Sequence, residues 1–320
     1  MITVLLSTKN RAQRLGETLE CFCSLQSPIG GWKLVVVDNG SSDHTEAVLQ
    51  RFSERLPLVR LKESHGGKNS ALNTGLAQVE GDLIVLTDDD VMPRKDWLVR
   101  FRAAADEHPD YAIFGGVILP RWEVPPPQWV YWLDMGPLYT VTRECLKEGE
   151  IPPDQITVIY GPNMAIRSQV FLTGIRFDET IGPTTGSYPM GSETELLMRL
   201  RRKQYRSWHV QDAVVEHVIR REQLNKAWVF KRAVRFGRGQ QRLYPVKKWG
   251  RTPRHLFRDI PLAALRVVIA GLTFNRREFL KSRWHFCYLV GKALEAHHME
   301  DHVTEELPER GVKKTWPNPS

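Results

Sequence analysis

Three consecutive carboxylates, Asp88-Asp89-Asp90, follow the apolar run Leu83-Ile84-Val85-Leu86 and are closed by Pro93. The apolar run reads as a buried strand, so the fold must end that strand where three like charges can coexist. Their mutual repulsion and the cost of burying them call for positive neutralisation. A hard divalent cation with oxygen ligands, Mg²⁺ or Mn²⁺, is the natural partner, and such ions commonly arrive with a substrate phosphate. Taken alone, the triplet reads as well as a solvated acidic turn. The rest of the chain decides between the two.

Strand patterns at residues 3–7, 34–38, 58–62, 83–87 and 112–119 alternate with helical stripes such as Ala12, Leu15, Leu19 and Phe22, or Ala71, Leu72, Leu76 and Val79. This alternation predicts an α/β fold with a mostly parallel central sheet flanked by helices. Asp43 is expected to cap a helix running through Ala47, Val48 and Phe52. Residues 121–153 are rich in proline and aromatics, including Trp122, Trp129 and Trp132, and read as an irregular excursion over the sheet. The tryptophans suit sugar stacking or cover for the core. Beyond them a helix is expected near 194–203, an extended stretch near 213–217, and a basic, mainly helical region after Asn225.

The net charge of +8 is unevenly spread: residues 199–258 carry 18 Lys/Arg against 3 Asp/Glu, a balance of +15 that leaves −7 for the remainder. Such a block suits a phosphorylated substrate or an anionic membrane surface, and motifs of nucleic-acid readers are absent, so no nucleic-acid partner is expected. The apolar run 260–274 is shorter than the roughly 20 residues a bilayer span needs, which leaves an interfacial or a buried helix. The chain opens on a strand with no basic leader, and Cys21, Cys23, Cys145 and Cys287 are too scattered for a disulfide framework. A cytoplasmic protein, with the inner membrane face as a peripheral site, is the expectation.

Acidic strand ends recur. Asp38 closes the second strand in Val36-Val37-Asp38-Asn39-Gly40-Ser41-Ser42-Asp43, as the triplet closes the fourth. In open α/β sheets ligands collect outside the carboxyl ends of strands, so two such ends in one crevice suit a nucleotide and its metal. Between them Gly66-Gly67-Lys68-Asn69 turns into a helix, with Lys68 placed to meet a phosphate. Neither the Walker A spacing nor the dinucleotide glycine fingerprint is present.

Together these segments resemble the family 2 glycosyltransferases, inverting enzymes of the GT-A fold. The resemblance rests on Leu6-Ser7-Thr8-Lys9-Asn10-Arg11, the Asp38 segment, Gly67-Lys68-Asn69 through Asn73, the triplet as a DxD motif, Gly161-Pro162-Asn163-Met164-Ala165-Ile166-Arg167, and Gly191-Ser192-Glu193-Thr194-Glu195-Leu196. It implies that Thr8, Arg11 and Asp38 line the nucleotide pocket, that Asp88, Asp89 and Lys68 lie along the donor, and that Asn163 faces the donor and acceptor sugars. It also implies Asp90 as the main ligand of Mn²⁺ or Mg²⁺, and His217 resembles a histidine that some relatives place on the metal. The family's usual Glu-Asp base falls on Ser192-Glu193, which makes Glu193 the catalytic base and Glu195 the alternative.

The implied organisation is a GT-A domain over 1–220, with a nucleotide half 1–120 and an acceptor half 121–220 carrying the 121–153 insertion, followed by the basic helical region 221–320. The implied activity is transfer of a sugar from a nucleotide-diphospho-sugar to a hydroxyl of a saccharide or lipid-linked acceptor, in cell-surface polysaccharide or glycolipid synthesis. A sugar nucleotidyltransferase would need a Gly-x-Gly-Thr-Arg type loop where Ser7-Thr8-Lys9-Asn10-Arg11 stands. A non-catalytic nucleotide-sugar or polyanion-binding module is opposed by the intact carboxylates.

Overall fold

The computed structural model describes residues 1–142, 146–184, 188–244, 248–249 and 252–298; Cys145 and the expected C-terminal stretch 299–320 lie outside them. Strands β1 (Ile2–Thr8), β2 (Trp32–Asp38), β3 (Leu58–Lys62) and β4 (Leu83–Leu86) pair in parallel in the order β3-β2-β1-β4. Helices α1 (Ala12–Phe22), α2 (Thr45–Phe52) and α3 (Lys68–Leu76) connect them. Alternate strand residues face opposite sides. Val4, Leu6, Leu34 and Val36 pack with Leu15, Leu19, Phe22 and Phe52 on one face. Leu5, Val35 and Val37 pack with Ala71, Leu72 and Leu76 on the other. Each such fully buried side chain contributes about 1.5–3 kcal/mol. Gly75 lets α3 lie close on the sheet, because a Cβ there would collide with Leu5. Asp43 accepts from the backbone N–H groups of both Thr45 and Ala12, so it tethers the starts of α2 and α1 together.

The far half of the sheet is mixed. After β5 (Val91–Pro93) come α4 (Trp97–Glu107), β6 (Ile113–Trp122), α5 (Met135–Tyr139), β7 (Gly149–Ile151), β8 (Met164–Arg167), α6 (Gln169–Leu172), α7 (Ser192–Arg202) and β9 (Ser207–Ile219). The full order is β3-β2-β1-β4-β8-β6-β9-β5, with β7 on β9. Strand β8 runs antiparallel to β4 and β6, whereas β9 is parallel to β6 and antiparallel to β5 and β7. The described part of 121–153 holds only short elements between loops, and Trp122 and Trp129 pack against Val130, Leu138, Tyr139 and Val229 as core cover.

The C-terminal part consists mainly of α8 (Lys226–Leu243), α9 (Leu256–Leu272) and α10 (Arg276–His298). Helices α8 and α10 cross backbone to backbone at Gly237 and Gly291, where a Cβ would strike Tyr288 O and Val234 O. The buried Glu295 carboxylate accepts from Arg238 at 2.6 Å and from Arg242, pinning the crossing. Helix α9 packs inward through Leu256, Ala263 and Ala270 and leaves Phe257, Leu262, Leu265, Val268, Ile269 and Leu272 on its outer face, 47–74% exposed. Among the described residues no helix is long and apolar enough to cross a membrane.

Candidate active site

Strand β1 ends beside β4, which brings Thr8 and Arg11 to the acidic triplet. Thr8 Oγ1 donates to Asp89 Oδ2 at 2.7 Å, and Arg11 Nη1 donates to Asp89 Oδ1 and Asp90 Oδ2, each at 2.8 Å. The Asp89 carbonyl accepts from Thr18 Oγ1. Asp89 therefore locks the turn to β1 and α1 while still lining the crevice beside it. Burial and the neighbouring Asp90 push its pKa up to about 6, against the lowering pull of Arg11.

Asp90 and His217 meet through sheet register. Strands β5 and β9 pair antiparallel with Val91 opposite His217, and Val218 N–H donates to Asp90 O at 2.9 Å. His217 Nδ1 lies 2.7 Å from Tyr139 O, which fixes Nδ1 as the donor and turns Nε2 toward Asp90 Oδ1 at 3.5 Å. Burial alone would raise the Asp90 pKa and lower that of His217. Their mutual attraction, with Arg11 helping on Asp90, reverses both directions.

Lys68 joins the two ends of the crevice. It opens α3 after Gly67, whose φ of 137° requires glycine. Its Nζ donates to Asp88 Oδ1 at 2.7 Å and to Glu193 Oε1 at 2.9 Å. Burial disfavours the ammonium form, but the two carboxylates outweigh it and raise the Lys68 pKa. Glu193 stands in the first turn of α7 behind Gly191 (φ 116°), and a Cβ on Gly161 would collide with its carboxylate. Burial would raise the Glu193 pKa, yet Lys68 brings it below the ordinary value. Glu195 is engaged by Arg199 at 2.6 and 2.7 Å.

A crevice of about 490 Å³ lies between β1, the Gly66-Gly67-Lys68 turn and the triplet, with Thr8, Arg11, Asn39, Lys68 and Asp88 in its wall. Asp38 is 5% exposed, accepts from Ser41 N–H and does not reach that wall. Asn39 does, and its buried Oδ1 has no hydrogen-bond partner among the described residues. Asn163 departs from expectation more sharply. It is fully buried, accepts from Trp97 Nε1 at 2.8 Å and donates to Val117 O and Ala213 O at 2.9 and 2.8 Å. Its side chain closes the register jump between β6 and β9 and does not face a ligand. Arg220 pairs with Glu222 at 2.8 Å. Arg232 of α8 lies beside the Glu193 end of the crevice, and only packing could have singled it out of the basic block.

An α/β sheet with acidic strand ends, a lysine-bearing turn and a carboxylate at the start of a facing helix defines the GT-A class of nucleotide-sugar folds. A mannosyltransferase of Pyrobaculum calidifontis, solved with GDP-Man and Mn²⁺, matches with a TM-score of 0.62 over 92% of this chain and 86% of its own, at 20% identity. Residues 1–349 of Staphylococcus aureus TarS with UDP-GlcNAc match at 0.54 over 90% of each chain, at 14% identity.

The family model for glycosyl transferase family 2 matches residues 3–173, more than half of the sequence, and the chain belongs to that family. The beta-monoglucosyldiacylglycerol synthase of Synechocystis is 31% identical over 103 residues, which are 31% of this chain and 22% of that protein. The glucosyl-dolichyl phosphate glucuronosyltransferase of Haloferax volcanii is 22% identical over 205 residues, 62% of each chain.

Proposed function

We propose that the chain is an inverting glycosyltransferase that moves a sugar from a nucleotide-diphospho-sugar to an acceptor hydroxyl in cell-surface glycan or glycolipid synthesis. The observation that carries this is the Asp88–Lys68–Glu193 bridge, which sets a donor-side carboxylate and a candidate base on one ammonium group at 2.7 and 2.9 Å. Glu193 is ionised at neutral pH and faces the cavity, so it can accept the acceptor's proton as the hydroxyl attacks. The ammonium weakens it as a base. A diphosphate entering the crevice competes for Lys68, which frees Glu193 and places positive charge where the leaving group gains negative charge. Glu195, held by Arg199, is the weaker candidate.

The residues present fit a divalent cation. Nε2 of His217 and Oδ1 of Asp90 lie 3.5 Å apart and turned toward one another, so both could ligate one cation. Among the described residues no group of three ligating side chains occurs, so donor phosphate oxygens and water would complete the shell. When bound, such an ion stabilises charge on the departing diphosphate. The Pyrobaculum relative's GDP-Man and Mn²⁺ support this choice of partners.

The organisation into a GT-A domain over 1–220 and a basic region beyond it fits the same proposal. The exposed apolar face of α9, flanked by the exposed Arg258, Arg266, Arg276 and Arg277, supports peripheral attachment to an anionic membrane face. The test is nucleotide release from UDP-, GDP- and dTDP-sugars with Mn²⁺ or Mg²⁺. Release from at least one donor is expected; no binding or release with any donor would overturn the proposal.

A further inference from the structure

Beyond Glu193 the crevice continues into a smaller cavity of about 190 Å³, walled by Thr140, Tyr160, Tyr188, Glu193 and Arg232. Arg232 Nε donates to Pro137 O and Nη2 donates to Thr140 Oγ1, both at 3.2 Å, and its guanidinium lies 5.6 Å from the Trp228 ring centre. Among the described residues no carboxylate pairs with it. One turn further, Arg235 donates to the Tyr188 hydroxyl at 3.3 Å, and among the described residues it meets no carboxylate and its buried Nε has no partner. Other arginines around this site are paired: Arg238 and Arg242 share Glu295, and Arg199 holds Glu195. Burial pulls the Arg232 pKa down, and the Glu193 carboxylate offsets this only from a distance, without bridging to the guanidinium. An anion in the cavity would offset the rest of that cost.

Two further features point the same way. Thr140 sits at φ 60°, ψ 47°, a left-handed conformation that is a genuine outlier for a β-branched residue, and this conformation sets its hydroxyl against Arg232. The hydroxyls of Thr140 and Tyr188 each accept from an arginine, which leaves their own protons to donate elsewhere. A guanidinium and two hydroxyl donors converging from different elements match the several oxygens of a phosphate.

We infer that this cavity seats a phosphate group of the acceptor, so that the acceptor is a phosphate ester whose hydroxyl reaches Glu193. The inference rests on the glycosyl-transfer proposal. The cavity is set apart from the donor crevice, which it meets at Lys68, Asp88 and Pro183, with Glu193 at the junction. The phosphate source is either a polyol phosphodiester chain or a lipid phosphate.

The test offers wild-type protein and donor a soluble glycerol-phosphate oligomer, a short-chain isoprenyl phosphate carrying a sugar, and neutral mono- and disaccharides. One phosphate-bearing acceptor should exceed the neutral ones by at least about tenfold in kcat/KM, and the arm that responds identifies the source. Inorganic phosphate should compete with that acceptor and not with the donor. Arg232→Gln should raise the inhibition constant for phosphate about tenfold or more, with Arg232→Lys retaining part of the effect. Should Arg232→Gln fail to fold, the wild-type acceptor comparison and phosphate competition decide alone. Turnover with neutral acceptors and indifference to phosphate would overturn this inference and leave the transfer proposal intact. Absence of donor binding by calorimetry would overturn both.

Discussion

Replacing Lys68 by Met keeps the side chain's volume and removes the charge between Asp88 and Glu193. The ammonium lies 2.7 and 2.9 Å from the two carboxylates, and the Lys68, Asp88 and Glu193 side chains are 18%, 25% and 21% exposed. Removing one partner of a buried ion pair costs about 3–5 kcal/mol, because the other charge is left behind. These groups keep roughly a fifth of their surface in water, so the lower end applies, about 3 kcal/mol, or roughly 5–10 °C in Tm. The pH dependence has a definite sign. Lys68 holds the Glu193 pKa below its ordinary value, so its stabilisation is fully present above the unfolded carboxylate pKa and lost as pH falls through the folded value. In Lys68→Met, burial without the ammonium favours the neutral carboxyl, so the penalty fades once Glu193 is protonated. Differential scanning fluorimetry should show the full Tm gap at about pH 7.5 and a much smaller one at about pH 4. A gap that is equal at both pH values, or absent at neutral pH, would refute the bridge as a stabilising element.

Asn163→Ala should act on the fold, since it strands Trp97 Nε1, Val117 O and Ala213 O in the core. A loss of about 3 kcal/mol or more in denaturant unfolding is expected, and a normal unfolding midpoint would contradict the role given to it. Asp90→Asn and His217→Ala should each weaken Mn²⁺ binding in the presence of nucleoside diphosphate by about 10-fold or more in calorimetry, and unchanged affinity in both would remove them from the metal site. Leu265→Glu with Ile269→Glu, on the exposed face of α9, should abolish co-sedimentation with anionic vesicles without lowering Tm. Wild-type binding should also fall with salt; indifference to lipid charge would exclude the membrane assignment.

The parallel half of the sheet was legible because its strands are continuous apolar runs ending in acids, a pattern that local sequence carries unaided. Strands β5 and β8 were not, because Val91-Met92-Pro93 and Met164-Ala165-Ile166-Arg167 are too short to show a period and take their pairing from distant segments. In the site, residue type was readable and direction was not. Asn163 has the chemistry of a ligand contact, yet it points inward and holds the scaffold, whereas Asp89 ties the turn to β1 at the crevice wall. Lys68 and Glu193 are 125 positions apart and meet only in the fold, where the starts of α3 and α7 face one another. The basic block announced charge, but only the distribution of carboxylates around α8 separates Arg238, paired with Glu295, from Arg232, which bridges no carboxylate among the described residues.

The central claim is that Glu193 accepts the acceptor's proton in a donor-loaded crevice. Its most direct test is a side-by-side measurement of donor affinity and single-turnover transfer for wild type and Glu193→Gln, using whichever donor and acceptor the wild type turns over. Glu193→Gln should bind the donor within a few-fold of wild type and lose about 10²-fold or more in transfer rate. Near-normal transfer by Glu193→Gln, together with loss in Glu195→Gln, would contradict the assignment.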